Sequence, residues 1–222
     1  MKRSDFLKKS IGLLGGTVLL PALSESCVKE EVGACAVTPT ETAGPFTTKA
    51  PTSVAYSNIV LDRKGTAATI KIIVQNVNNN CAILENAVVD IWHCDAEGNY
   101  SEYGTKISEH FLRGRQITDS EGVVVFKSIF PGWYPGRAPH IHVQVMNSKG
   151  TNLLISQIAF PEDVCNTIYA QGAYTAKGSA FKKNTKDAIF SDGFANELAT
   201  ITGNSKDGFL ITHTLKLDVP VF

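Results

Sequence analysis

Ala68-Thr69-Ile70-Lys71-Ile72-Ile73-Val74-Gln75-Asn76-Val77 is the stretch that decides the fold. Ile70, Ile72 and Val74 alternate with Lys71, Ile73 and Gln75, so every second side chain leaves the same side of an extended backbone. The same two-residue reading extends outward to Ala87–Trp92, Val123–Phe126, His140–Met146, Leu153–Phe160 and Phe209–Val219. Between these runs, Asp62-Arg63-Lys64-Gly65, Asn78-Asn79-Asn80, Ala96-Glu97-Gly98-Asn99, Asp119-Ser120-Glu121-Gly122 and Pro131-Gly132 supply turn residues. No stretch sustains a long 3.6-residue period; Glu162 to Gln171 is the one segment with the pattern of a helix of two or three turns. Many short strands with frequent turns predict an all-β fold, an antiparallel β-sandwich with short helical or loop insertions.

Composition narrows the function classes. At 222 residues with 43% apolar content, the chain has enough core for one folded domain. Lys+Arg and Asp+Glu both number 21, and this zero net charge gives no electrostatic footprint for a nucleic acid. No nucleic-acid partner is expected.

Residues 1–26 read as a signal peptide. Lys2, Arg3, Lys8 and Lys9 form a basic head, the apolar run Ile11–Leu23 follows, and small residues appear at Ala22, Ser24 and Ser26. The run is shorter than the ~20 residues that span a bilayer. Arg3-Ser4-Asp5-Phe6-Leu7-Lys8 is similar to a twin-arginine signal with serine in the second position, and Sec export fits as well. Cys27, with Leu23 nearby, resembles a lipoprotein site, although the leucine sits one position too far away. The expectation is an exported protein, periplasmic or at the cell surface, with a lipid tether at Cys27 as one form of it. Residues 27–37 read as a linker and 38–222 as the folded domain.

His140 and His142 carry the first chemical signal. Two apart on a strand, both imidazoles leave one face, with Cα atoms about 6–7 Å apart. A metal is one reading and a pair of surface histidines the other. Met146 and Asn147 stand where a cupin-type site would want glutamate. A zinc site could draw on His93, His110 or His213, none at a helpful spacing, and Cys94 has no partner at Cys-x-x-Cys spacing.

The surrounding residues supply a family likeness. Phe130-Pro131-Gly132-Trp133-Tyr134-Pro135-Gly136-Arg137-Ala138-Pro139-His140-Ile141-His142 resembles the signature of the intradiol ring-cleavage dioxygenases. Asp90-Ile91-Trp92-His93-Cys94-Asp95-Ala96-Glu97-Gly98-Asn99-Tyr100 is similar to the family's strand-turn unit, which bears its earlier tyrosine. Thr38-Pro39-Thr40-Glu41-Thr42-Ala43-Gly44-Pro45-Phe46 looks like its substrate-side segment, and Phe111-Leu112-Arg113-Gly114 with Thr118-Asp119 also fits.

The resemblance implies Fe(III), Fe(3+), held by Tyr100, Tyr134, His140 and His142, and a catechol substrate opened with O₂ to a cis,cis-muconate-type diacid. It implies Tyr100 and His142 as equatorial ligands, with Tyr134 and His140 axial. It also implies a catalytic role for Tyr134, leaving the metal and taking a catechol proton, and for Arg137, whose charge would stabilise carbanion character on the ring. Glu41, Tyr103 and Trp133 are weaker candidates for the pocket lining, and Trp133 equally reads as packing under the turn. Only two residues separate Tyr134 from Arg137, fewer than in the protocatechuate enzymes, and the helical N-terminal region of the dimeric catechol enzymes is missing. The sequence therefore leaves open which catechol is used and the oligomeric state. Two rivals stand beside this reading: a zinc or copper protein using the histidines without the tyrosines, and a transthyretin-like binding module.

Five cysteines complete the inventory. With Cys27 lipidated or removed, the even number left in an exported chain suggests bridges. The favoured pairing is Cys35–Cys81 and Cys94–Cys165, the first tying down the domain's start and the second the loop that carries Tyr100.

Overall fold

The computed structural model describes residues 35–49 and 54–220. The signal peptide read over residues 1–26, Cys27 and most of the linker lie outside the described residues. The deciding stretch forms strand β1 (Ala67–Asn76) in the middle of one of two sheets. Along one side of β1 run the short β2 (Ala82–Ile83) and β5 (Val123–Ile129), both antiparallel. On its other side lies β9 (Gly208–Leu217), itself paired antiparallel with β8 (Thr200–Asn204). The second sheet is antiparallel throughout, in the order β4 (Arg113–Ile117), β3 (Val88–Trp92), β6 (His140–Met146) and β7 (Asn152–Ala159). The described residues contain little helix: α1 (Glu162–Tyr169) and single 3₁₀ turns.

The alternation works as read. Ile70, Ile72 and Val74 of β1, with Phe126, Ile211 and Leu215, join Val89, Ile91, Ile141, Val143 and Ile158 of the second sheet in one buried cluster. Each such side chain removed from water contributes roughly 1.5–3 kcal/mol, so one shared core holds the two sheets. Helix α1 begins after Pro161 with Glu162 and Asp163 in its first turn, where negative charge faces the positive end of the helix dipole.

The expectation of antiparallel sheets needs correction, and three strands went unread. The sheets are not antiparallel throughout, since β1 and β9 run parallel from Ala68–Phe209 to Asn76–Leu217. A two-residue period marks a face and carries no direction; here nearly the whole domain connects the two strands, ample length for a parallel crossover. Strands β2, β4 and β8 were not read from the sequence. In β4, Arg113-Gly114-Arg115-Gln116-Ile117 buries its first arginine completely and leaves Ile117 exposed, the inverse of the expected pattern.

The bridges divide. Cys35 and Cys81 are joined, whereas Cys94 and Cys165 are free and buried. Cys94 packs with Trp92 and Tyr100, Cys165 belongs to the main core, and the two sulfurs sit in separate apolar clusters. Burial raises both thiols, Cys94 to about 12, and a protonated thiol does not undergo disulfide exchange.

Candidate metal centre

Three elements bring four donor side chains together. Ile141, Val143 and Val145 of β6 face the core, so His140 and His142 leave its other side. At the end of β3, Asp95 closes a tight turn: its Oδ1 accepts from the Glu97 and Asn99 amides at 3.0 and 2.9 Å. That turn delivers Tyr100. Tyr134 stands on the Pro131-Gly132 turn, which Tyr169 and Tyr174 pin by donating to the carbonyls of Pro131 and Phe130 at 2.9 and 2.6 Å.

His142 is covered because another segment crosses its face. Residues 38–49 form neither helix nor strand, so each backbone polar group needs its own partner. Glu41 N–H donates to Ile155 O at 2.8 Å, Gln157 Nε2 to Thr42 O at 2.8 Å, and Arg113 Nη1 to Phe46 O at 2.9 Å. Gly44 passes directly over His142 with φ +66°, and a Cβ there would lie 3.1 Å from His142 Cε1. Phe46 then stacks on Tyr100 with ring centroids 4.4 Å apart.

The donor atoms converge. His140 Nε2 lies 3.1 Å from His142 Nε2 and 3.3 Å from the Tyr134 hydroxyl. Two ligands bound at about 2.1 Å and at right angles are about 3 Å apart, so these spacings suit adjacent donors on one ion. The Tyr100 ring lies 5.7 Å from that of Tyr134 and 6.1 Å from His142. His140 Nδ1 contacts Ala138 O at 2.6 Å. A carbonyl only accepts, so Nδ1 carries the proton and Nε2 presents its lone pair to the shared point. His142 Nδ1 is buried without a hydrogen-bond partner, and the Tyr100 hydroxyl makes no hydrogen bond of ordinary geometry. An orphaned hydroxyl is uncommon in a packed interior and leaves the Tyr100 oxygen free to act as a further donor, whereas His142 Nδ1 is the ring nitrogen away from the shared point.

Electrostatics point the same way. Burial, helped by the Arg137 charge, pushes His140 down to about 3; burial and its neighbour hold His142 well below the usual range. Both imidazoles are therefore neutral at pH 7, the form that binds metals. Burial raises the Tyr100 and Tyr134 phenols. Neither ionises at neutral pH without a compensating cation, which a multivalent metal supplies. Two imidazoles with two phenols suit a transition metal such as iron.

Arg137 stands beside this group. Its Nε donates to both Asp187 oxygens at 2.9 and 3.1 Å, and its Nη2 to Gln157 Oε1 at 2.5 Å. Gln157 is the cross-strand neighbour of His142, which in turn pairs with Trp92. The Trp92 indole lies flat on the His142 imidazole, centroids 5.0 Å apart.

The other sequence candidates separate. Trp133 is buried and donates to Gly178 O at 2.9 Å, the packing reading. Tyr103 meets Phe46 edge to face at 5.3 Å and bonds Thr47 O, in the aromatic wall. Burial raises the half-buried Glu41 carboxyl, with Asp192 and Arg137 among its charged neighbours. His93 is held by Ser128 and Cys94 O, His110 by Glu102, and His213 is buried on β9. Among the described residues no group of three or more His, Cys, Asp or Glu side chains could hold a metal, so a zinc site of that composition has no ligands here. Gln157 and Asp187 were missed. Gln157, a polar residue inside an apolar run beside the His-x-His strand, gave a readable signal; Asp187, in an irregular loop, gave none.

Comparison with known proteins fits this geometry. Residues 43–179, more than half of the chain, match the family model Dioxygenase_C, described as dioxygenase. Over 92 residues the chain is 33% identical to the protocatechuate 3,4-dioxygenase beta chain of Burkholderia cepacia, covering 36% of this chain and 39% of that protein. Chlorocatechol 1,2-dioxygenase of Rhodococcus opacus is 29% identical over 100 residues, covering 36% of this chain and 38% of that one. The chain thus spans about two-fifths of the length of these curated relatives. A solved intradiol ring-cleavage dioxygenase from Tetranychus urticae superposes with a TM-score of 0.73 at 30% identity, covering 83% of this chain and 95% of that one.

Proposed function

This chain belongs to the intradiol dioxygenase family, and from that premise we propose that it is an oxidoreductase that opens catechol-type rings with O₂. Cleavage falls between the two hydroxyl-bearing carbons and gives cis,cis-muconate-type diacids containing both oxygen atoms. The observation that carries this reading is the convergence of His140 Nε2, His142 Nε2 and the Tyr134 hydroxyl within 3.1–3.3 Å, next to the buried Tyr100 phenol.

Tyr100, Tyr134, His140 and His142 are the proposed holders of Fe(III). When bound, the ion supplies Lewis acidity that lowers the pKa of a catechol hydroxyl. The chain's residues supply the rest. Tyr134 is the half-buried member of the set, the other three being buried, and its phenolate oxygen is the group placed to accept a catechol proton. Arg137, oriented by Asp187 and Gln157, holds a fixed positive charge beside the reacting ring, where preorganised charge is most effective. Phe46 and Tyr103 offer aromatic surfaces for a planar substrate. Gly44 and its neighbours exclude water from the histidine face.

The proposal includes the sandwich architecture and the export route. An oxidising compartment suits the Cys35–Cys81 disulfide, a bond that rarely persists in cytosolic proteins. A lipid tether at Cys27 belongs to the same proposal.

Aerobic incubation of purified, iron-loaded protein with catechol, protocatechuate and hydroxyquinol under isotopically labelled O₂ tests the activity. A ring-opened diacid carrying both labelled atoms is expected from at least one of them. No oxygen uptake with any catechol refutes the proposal.

A further inference from the structure

We propose that Asp187 is a positioning residue for this site, setting the Arg137 guanidinium directly and the His140 ring through the backbone of Ala138. The inference rests on the function proposed above. Asp187 lies 47 residues beyond His140 in the chain, in an irregular segment, and is completely buried. What places it there is Asn184, whose Nδ2 donates to Phe160 O at 2.9 Å and whose N–H donates to Glu162 Oε1 at 3.0 Å. The turn before Asp187 is thereby fixed to the start of α1.

From that position the carboxylate reaches two parts of the site at once. Oδ2 accepts from Arg137 Nε at 2.9 Å and from the Ala138 N–H at 2.5 Å. Oδ1 accepts from Arg137 Nε at 3.1 Å and from the Ile189 N–H at 2.9 Å. The Ala138 residue that Asp187 grips is the same one whose carbonyl receives His140 Nδ1 at 2.6 Å. One carboxylate therefore fixes the residue that sets the His140 tautomer and holds the guanidinium beside the ring. Burial raises the carboxyl, but these amides and the guanidinium together bring it below the ordinary range, so it stays an anion and accepts every bond. A carboxylate whose only task was to end a turn would need the Ile189 amide and nothing more.

Arg137 has a second anchor in Gln157, and the two anchors act on different nitrogens. Nε is fixed by Asp187 and Nη2 by Gln157, which sets the guanidinium plane as well as its position. Lysine cannot reproduce that fork.

The test is a double-mutant cycle in the iron-loaded full chain, with Asp187→Asn, Arg137→Gln and the double variant assayed on the best substrate. Asp187→Asn should lower kcat by about 10–100-fold with KM nearly unchanged, the scale of a lost outer-shell partner. In the Arg137→Gln background the same change should lower kcat by a clearly smaller factor, because one of the two groups it acts through is already gone and only the route through Ala138 to His140 remains. The visible phenolate-to-iron band should shift in Asp187→Asn, and shift again when Asp187→Asn is added to the Arg137→Gln background, since the route through Ala138 to His140 remains there. Independent, multiplicative losses of kcat, or an unmoved band in Asp187→Asn, overturn the inference. Should Asp187→Asn fail to fold, Arg137→Lys replaces it: it keeps the charge and loses the fork, and a wild-type rate there overturns the inference equally. A colourless, inactive wild-type protein refutes the proposed function itself, which separates the two failures.

Discussion

Tyr100→Phe is predicted to change stability in opposite directions with and without iron. The substitution removes one oxygen and keeps the ring, so the 4.4 Å stack on Phe46 and the apolar contacts with Trp92 and Cys94 persist. In the iron-free protein that oxygen is buried, with the residue 4% exposed, and makes no hydrogen bond of ordinary geometry. A buried, unsatisfied hydroxyl costs about 1–3 kcal/mol, so its removal should raise the unfolding free energy by up to that amount. On the proposed function, iron stabilises the folded chain by its binding free energy, and loss of one phenolate should remove much of that gain. The assay is urea denaturation of both proteins, iron-free and iron-loaded, with the visible spectrum recorded on the loaded pair. The expected outcome is a variant equal or superior to wild type without iron, clearly inferior with it, and with a bleached or shifted band. A variant destabilised by more than about 1 kcal/mol without iron would mean that the hydroxyl is a satisfied structural group. An unchanged band and rate would remove Tyr100 from the ligand set.

Three further outcomes are expected. Gly44→Ala puts a side chain at φ +66° and 3.1 Å from His142 Cε1, so it should cost about 1–2 kcal/mol in strain and also shift the visible band. Gly150→Ala, at φ +81° with open space around it, should cost a similar amount by thermal unfolding and leave the band alone; equal effects on both bands would refute the close-approach argument. Removing the Cys35–Cys81 bridge by Cys35→Ser should lower stability in denaturant titration by up to about 4 kcal/mol for a separation of 46 residues, while Cys94 and Cys165 resist alkylation until the chain unfolds. In the iron-free protein, stability should peak near pH 7. Burial holds His93 and His213 down to about 4, His140 to about 3 and His142 well below its usual range, so between pH 6.5 and 4 the unfolded chain binds protons at four histidines that the folded one refuses, and stability falls with acid. Burial holds Glu197 up to about 8, so the folded chain keeps a proton that the unfolded one releases, and stability falls from about pH 4.5 to 8. Each group contributes about 1.4 kcal/mol per pH unit, four rising against one falling below 6.5 and one falling alone above about pH 7. Unfolding free energies that stay flat between pH 5 and 6.5 would contradict this balance.

The sequence by itself determined the faces. The alternation in β1, the exact span of β6 and the short helix after Pro161 were legible because burial of every second side chain is a local pattern, set by backbone geometry alone. Tyr100, Tyr134, His140, His142 and Arg137 were named from a family resemblance carried by runs of consecutive residues, and the fold brings the four ring side chains together. Tertiary structure decided what consecutive residues cannot encode. Strand direction was one such matter, since β1 and β9 meet in parallel only after nearly the whole domain has intervened. Strand β4 was another, because Arg113 is buried by bonds to Ser101, Phe46 and Thr48 that its own neighbours do not foreshadow. The cysteines divide on the same line: Cys35 meets Cys81, while Cys94 and Cys165 are absorbed into different apolar clusters. Gln157 and Asp187 complete the contrast. Their role depends on a hydrogen bond's reach of about 3 Å, and only the folded chain brings residues 20 and 50 positions from Arg137 within it.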